Sequence, residues 1–467
     1  MVRRHTTALR ASLMAADFLV ATALFVLASM LRYGAEWEGA WRRIGPDPWV
    51  AATGYGAGWL TLVLTNGLYR IRARYSLRSE AAALIRAGAV LGLAVVTLLF
   101  FERISNASRL LVVGLVVATV ALAILTRFIL RSTLSALRRR GRMTRFVLVV
   151  GSGQVAQDFA DRIERHRDLG LRVIGHLRSF ADEVRPPTRP VLGTLDEIET
   201  VLHGQVVDEV AICLPVAAWD YVEPITGLCA SEGKIVRIPA EGGPSVHGGH
   251  TEEFDGLTVV SLVYGPDRAL ALLGKRLLDL ALAGVGLVLA LPLLMAVIGA
   301  IAWFDGWPVL YRQWRVGLNG RRFRLAKLRT MRSGADAELE QLALFNEVHG
   351  RAFKMTNDPR LTRTGRWLRR TSLDELPQLW NVLRGEMSLV GPRPPLPVEV
   401  AGYDVWHRRR LSMKPGITGL WQVSARNEPE FDRWVERDLE YIERWSLWLD
   451  LKILARTVPA VVSQQGR

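Results

Sequence analysis

Residues 368–395 read LRRTSLDELPQLWNVLRGEMSLVGPRPP. Two acids stand side by side there, Asp374 and Glu375, with Arg369 and Arg370 before them and Pro377 two residues after. Ser372 and Glu375 have the spacing of a capping box. An apolar run follows, of Leu376, Leu379, Trp380, Val382 and Leu383. The pattern predicts a helix with the acid pair in its first turn. Free backbone N–H groups and the helix dipole favour anions at that end. Carboxylates, arginines and a helix N-terminus in one place suit phosphate chemistry with a metal ion. The carboxylates hold Mg²⁺ or attack phosphorus, and the arginines hold phosphate oxygens. Taken alone, the pair reads as an ordinary cap on a solvated surface. The surroundings decide between the two readings.

Further motifs flank it in order. KRLLD occupies 275–279, VLYRQWRVGLNGRRFRLAKLRTMR 309–332, DPRLTRTGRWLRR 358–370, KPGITGLWQVSAR 414–426 and DLEYIERWSLWLDLKIL 438–454. Over about the last 200 residues this set resembles the bacterial sugar transferases, the polyprenyl-phosphate hexose-1-phosphate transferases. Several long motifs in order are far more specific than one short pattern. The resemblance implies that Asp374 is a nucleophile, forming a covalent phosphosugar and releasing UMP from a UDP-sugar. It implies that Glu375 binds Mg²⁺ and that polyprenyl phosphate then takes the sugar phosphate. It also implies phosphate contacts by Lys327 in KLRT, Arg369 in RRTSLDE and Arg393 in GPRP, with the Gly391-Pro392 turn fixing the Arg393 backbone. Arg426 follows Ala425 where the family has Gly-Arg, and is left out of the site.

Composition agrees with a membrane enzyme. Half of the 467 residues are hydrophobic and the formal charge is +15. Mean hydropathy is +0.16 and the pI about 10.4. A basic, apolar chain fits an anionic lipid surface or nucleic acid. No zinc-finger spacing or RNA-binding signature supports nucleic acid. Cys213 and Cys229 form no metal motif and read as reduced, buried thiols.

Residues 1–140 hold four apolar stretches, 12–31, 49–69, 81–101 and 110–130, each near the roughly 20 residues a spanning helix needs. Arginines concentrate before the first (Arg3, Arg4, Arg10), between the second and third (Arg70, Arg72, Arg74, Arg78) and after the fourth (Arg131, Arg138, Arg139, Arg140, Arg142, Arg145). Both ends of the block therefore face the cytoplasm. Asp17 and Arg86 fall in or beside spans, as packed polar residues or as functional ones.

Residues 141–265 read as a Rossmann-like α/β domain with a parallel sheet. RFVLVVGSGQVAQDFADRI supplies strand, turn and helix, and Gly151-x-Gly153-x-x-Ala156 matches the dinucleotide fingerprint. The acid expected at the end of the second strand is missing, since His176, Leu177 and Arg178 stand there. The Tyr-x-x-x-Lys pair of nucleotide-sugar epimerases is absent too. A ligand-free structural or regulatory domain is preferred over a bound NAD.

Residues 266–308 hold a fifth apolar run with Pro292 in it. Arg268, Lys275 and Arg276 precede it, and Arg312, Arg315, Arg321, Arg322 and Arg324 follow. Cytoplasmic charge on both sides predicts a re-entrant helix broken at Pro292 rather than a fifth span. The family breaks this helix at Ser-Pro; Leu291 replaces the Ser here. Residues 309–467 are the mainly α catalytic domain, with Trp434, Trp445 and Trp448 suited to the bilayer interface or to an ordinary core.

The expected whole is a mixed membrane protein: a four-helix transmembrane bundle, the α/β middle domain, the re-entrant helix and a cytoplasmic phosphoglycosyl transferase domain. Its partners are UDP-sugar, polyprenyl phosphate and membrane lipid, without nucleic acid; a homodimer is compatible. The alternatives are an NAD-dependent nucleotide-sugar epimerase or dehydratase on a membrane anchor, and a non-catalytic scaffold. Glucose, galactose and N-acetylhexosamine donors all fit.

Overall fold

A computed structural model describes residues 3–44, 47–69, 77–101, 109–139, 144–166, 170–180, 188–239, 249–264, 269–335, 337–338, 341–347, 355, 358–424 and 428–462. Arg70, Arg72, Arg74, Arg140, Arg142 and Arg268, which carry the orientation argument, and Arg426 lie outside them.

The first unit is helical: α1 (Arg3–Tyr33), α2 (Trp37–Ile44), α3 (Pro48–Thr65), α4 (Leu77–Phe101) and α5 (Arg109–Arg139). Three stretches in it are long and apolar enough to cross a membrane, Ala11–Arg43, Glu80–Phe101 and Leu110–Leu130; α3, over the expected second span, is not among them. Its glycines, threonines and aromatic residues dilute the apolar run. They also let it pack closely, since a Cβ on Gly56 would stand 2.3 Å from Thr22 Oγ1. Asp17 is a packed polar residue. It is buried, accepts from the Tyr69 hydroxyl at 2.6 Å, and takes both terminal nitrogens of Arg127 at 2.8 and 3.1 Å. Three separate segments are thereby tied together where lipid offers no other partner. Arg86 is exposed on α4.

The α/β domain contains β1 (Arg145–Val150), α6 (Gln154–Arg165), β2 (Leu171–Arg178), β3 (Val191–Thr194), α7 (Ile198–Gly204), β4 (Glu209–Ile212), α8 (Val222–Ser231), β5 (Ile235–Pro239), β6 (His250–Phe254) and β7 (Leu257–Val263). The strand order is β3-β2-β1-β4-β5-β7-β6. Its first five strands follow the doubly wound order of dinucleotide-binding domains. Short, fully buried runs such as VLVV and EVAI are what a sheet covered on both faces requires. The sheet is not wholly parallel as expected: β7 pairs antiparallel with β5. Cys213 and Cys229 are buried thiols outside any disulfide among the described residues.

The apolar run 270–304 forms α9 (Ala269–Phe304), which corrects the expected break: Pro292 lies inside one continuous helix, since a proline removes one backbone hydrogen bond and the rest of the ladder carries on past it. The transferase region then contains β8 (Leu310–Val316), β9 (Arg322–Leu328), α10 (Arg363–Thr371), α11 (Gln378–Arg384), β10 (Ser388–Val390), α12 (Pro397–Ala401), β11 (Gly416–Thr418), α13 (Leu420–Ser424), α14 (Phe431–Glu443) and α15 (Leu447–Val462). Its sheets are two pairs, antiparallel β8–β9 and parallel β10–β11. One core joins Ala283 of α9 to Phe323, Leu325, Val382, Met387, Tyr441 and Trp445. Buried polar groups seat the first half of α9. Lys275 donates to Asp450 at 2.7 Å and to Val390 O at 2.9 Å, while Asp279 accepts from Ser388 Oγ and Leu389 N.

Candidate active site

The acid pair lies between two helices rather than inside one. Ser372 takes a left-handed conformation (φ 56°) and ends α10. Leu373–Glu375 form a single 3-10 turn, and α11 starts beyond Pro377. The expected capping box is therefore not made: with positive φ, Ser372 closes the preceding helix and its side chain caps nothing. The sequence spacing was right for a helix start, but the competing α10 C-terminus takes the residue.

This turn points the two acids differently. Asp374 is 6% exposed. Glu375 is half-buried and accepts from Lys327 Nζ at 2.6 Å, across from β9. Burial pushes the Asp374 carboxyl up to about 6 against the pull of Lys327; Glu375 pushes it further, and Arg369 also opposes. Arg369 donates its Nε to Thr330 Oγ1 at 3.2 Å, which aims it from α10. Asp374, Glu375, Lys327 and Arg369 are thus one electrostatic unit, as the sequence led one to expect.

Arg393 sits differently. Its guanidinium forks onto Glu399 at 3.2 and 3.3 Å, and its backbone N–H donates to Asp438 at 3.3 Å. Asp438 is fully buried against Arg410, and burial holds its carboxyl up at about 6. The Gly391-Pro392 turn packs against 414–416, where a Cβ on Gly391 would stand 2.3 Å from Lys414 O. Arg315 was not foreseen as part of the site. It donates to Pro394 O at 2.9 Å from β8, and burial and the neighbouring Arg393 press its basicity down to about 10. Arg315 thus ties β8 to the Arg393 loop. Nothing in YRQWRV marks this arginine over its neighbours, because the link depends on a fold contact 79 residues away.

The tryptophans divide. Trp434 and Trp445 are core residues, which decides between the two readings for both. Trp448 is 65% exposed, with Lys452 Nζ 5.6 Å from its ring centre. Trp303, Trp307, Trp314, Trp367 and Trp380 are also exposed.

In the α/β domain the fingerprint loop is closed by its own chain. Gly151 has φ 107°, and a Cβ there would stand 2.4 Å from Cys213 O. His176, where a ribose-binding acid belongs, is buried with Nδ1 2.9 Å from Gly151 O. The glycine serves packing, and its carbonyl partners the histidine.

Comparison with known proteins gives two family matches. A bacterial sugar transferase model matches residues 270–464, and a CoA-binding domain model matches 65–238. UDP-glucose:undecaprenyl-phosphate glucose-1-phosphate transferase of Xanthomonas campestris pv. campestris is 33% identical over 451 residues, 91% of this chain and 90% of its own. Galactosyl transferase CpsE of Streptococcus agalactiae serotype III is 37% identical over 283 residues, 58% of this chain and 61% of the relative. Exopolysaccharide production protein ExoY of Rhizobium meliloti is 41% identical over 206 residues, 43% of this chain and 91% of the relative. A buried acid flanked by lysine and arginine, in a region with such relatives, defines a transferase. The chain belongs to the bacterial sugar transferase family.

Proposed function

We propose that this protein moves a hexose 1-phosphate from a UDP-sugar to polyprenyl phosphate, releasing UMP, at the cytoplasmic face of a bacterial inner membrane. The product would open the synthesis of an exopolysaccharide, capsule or O-antigen. One observation carries the reading: Asp374 is a buried carboxylate held in the field of Glu375, Lys327 and Arg369. The relatives' names supply the substrate classes.

In the first step an Asp374 oxygen attacks the phosphorus that bears the sugar. The bond from that phosphorus to the bridging oxygen breaks, and UMP leaves with the electron pair. In the second, a polyprenyl phosphate oxygen attacks the same phosphorus and Asp374 departs as carboxylate. No proton moves if Asp374 starts ionised. Lys327 and Arg369 offset the charge that gathers on the phosphoryl oxygens. Arg315 and Arg393 share Glu399, which leaves one positive charge in excess for a second phosphate.

Among the described residues no three His, Cys, Asp or Glu groups converge on a metal position. Glu375, half-buried beside Asp374, nevertheless fits Mg²⁺ in its usual mode, with one or two carboxylates and the rest of the shell from substrate phosphate and water. Bound there, it would shield the phosphates from the approaching carboxylate.

Two features support placement at the membrane surface. Both halves of α9 pack on the transferase region, Ala283 on one cluster and Val297 and Ile301 on another with Val309, Leu328 and Leu368. The residues between them are exposed and apolar, Val288 at 70% and Leu289 at 75%. Straight, α9 would be about 54 Å long. Contacts at both halves with one region, with Pro292 between them as the place for a bend in the otherwise continuous helix, suit a helix that dips into the membrane and returns. The exposed Trp303, Phe304 and Trp307 at its end suit the lipid–water boundary.

The test is purified protein in lipid nanodiscs with polyprenyl phosphate, Mg²⁺ and a panel of UDP-sugars. UMP release and a phosphosugar mass on the peptide containing Asp374 are expected. Neither UMP nor adduct with any donor would defeat the reading.

A further inference from the structure

The α/β domain meets the transferase region at the tip of the β8–β9 hairpin. Asp208, 6% exposed just before β4, accepts from Arg321 Nη1 and Nη2 and from Asn319 Nδ2, all at 2.6 Å. The Phe146 N–H donates to the same carboxylate at 2.8 Å, and the Arg321 guanidinium lies 5.6 Å from the Phe146 ring centre. A bidentate arginine with two further donors on one carboxylate fixes direction as well as distance. The tip is shaped for this contact, with Asn319 and Gly320 both at positive φ (54° and 88°). A second contact lies nearby, where a Cβ on Gly233 would stand 2.5 Å from the Ser412 Cβ.

From Arg321 a short chain of hydrogen bonds runs to the Arg393 loop. Gly317 N–H donates to Arg321 O at 2.7 Å. The adjacent Val316 N–H donates to Pro395 O at 2.9 Å, and Arg315 donates to Pro394 O at 2.9 Å. Pro394 directly follows Arg393. The other strand is tied lower down, where Asn381 accepts from Ala326 N and donates to Arg324 O. The hairpin is thus held at its middle by the transferase region and at its tip by the α/β domain.

We propose that Asp208 is a positioning residue of the transferase: the α/β domain sets the Arg315–Arg393 side of the site through the hairpin tip. The inference rests on the proposed function for what Arg393 does, but not for the hydrogen-bond chain. The ExoY match gives it a context. Its 206 aligned residues are 91% of that relative and too few to hold both an α/β domain and a transferase region. A chain of that length has no room for an α/β domain beside the transferase region, so this contact belongs to longer chains such as the present one.

The experiment uses full-length protein in nanodiscs. Asp208→Asn keeps the shape and removes the charge. Its kcat should fall about tenfold with KM for the UDP-sugar within about twofold, and Asp208→Glu should recover part of the loss. In an Arg393→Lys background, Asp208→Asn should cost less than about twofold, because both changes act on one loop. Hydrogen exchange at the Val316 amide should rise in Asp208→Asn while that of Leu148 and Val150 in β1 and of Ala211 in β4, away from the altered carboxylate, stays protected. Fold losses that simply multiply, or unchanged exchange at Val316, would overturn the proposal. The exchange arm needs no turnover, so a wild type that transfers no sugar phosphate would sink the function reading and leave this one to be judged by exchange.

Discussion

Asp374→Asn separates stability from catalysis at the centre of the site. The wild-type carboxyl is raised from 3.8 to about 6, chiefly by burial. A carboxyl whose folded value lies above its unfolded one gives full stability below about 3.8 and loses it as pH rises through about 6. The difference of about two units, at about 1.4 kcal/mol each, means that ionised Asp374 costs the fold up to about 3 kcal/mol at pH 8. Asn is nearly isosteric and neutral, and escapes this cost. For a domain of this size about 1 kcal/mol moves the melting temperature by about 2–4 °C. Intrinsic tryptophan fluorescence, recorded on heating in detergent without donor, should show the variant melting several degrees above wild type at pH 8 and level with it near pH 4. The same variant should form no adduct and release no UMP. Equal melting at pH 8 would show that the buried charge carries no such cost, and retained turnover would remove Asp374 as nucleophile.

Three further outcomes are expected. Excess EDTA should stop UMP release, and Glu375→Gln should require more Mg²⁺ for half-maximal rate; full activity under chelation would take the metal out of the reaction. Cysteines placed at Leu270 and Gly306, the two ends of α9, should both react with an impermeant maleimide added from the cytoplasmic side of oriented vesicles, and labelling from opposite sides would mean a plain span. In the helical unit, Asp17→Ala should lower stability by about 3–5 kcal/mol by stranding Arg127, while Asp17→Ala with Arg127→Leu should regain most of it; equal losses in thermal melts would refute a coupled pair.

What could be read in advance follows physical range. Local signals were legible: the strand–turn–helix at Gly151, the apolar spans of α1, α4, α5 and α9, and the crowd of charges around Asp374 and Glu375. Asp17 was visible as an acid in an apolar run, but its partner stands 110 residues on, beyond any local pattern. Ser372 shows local signals competing, for its capping spacing toward Glu375 was genuine and lost to the end of α10. For Trp434 and Trp445 the sequence leaves interface and core both open, because amphipathic position does not tell a membrane from a core, and packing with Val435 and Tyr441 decides for the core. Nothing local singles out Arg315 and Asp438 within their motifs, or Asp208 at all, since the pairings they make come from tertiary structure.

The value reached by Asp374 bears on both halves of the proposed reaction. An ordinary aspartate near 3.8 leaves phosphorus readily but attacks it poorly, whereas a strongly raised one would attack well and then hold the sugar phosphate. Secondary phosphate ionisations lie near 6, and so does Asp374. In the proposed reaction, burial and Glu375 thus move the Asp374 carboxyl toward the basicity of the phosphates it would exchange with. Lys327 and Arg369 keep the shift from growing further. Lys327→Met should therefore move the acid limb of the pH–rate profile upward, because removing an opposing cation leaves burial and Glu375 to raise Asp374. A limb that stayed in place or moved down would break the link between this lysine and the nucleophile.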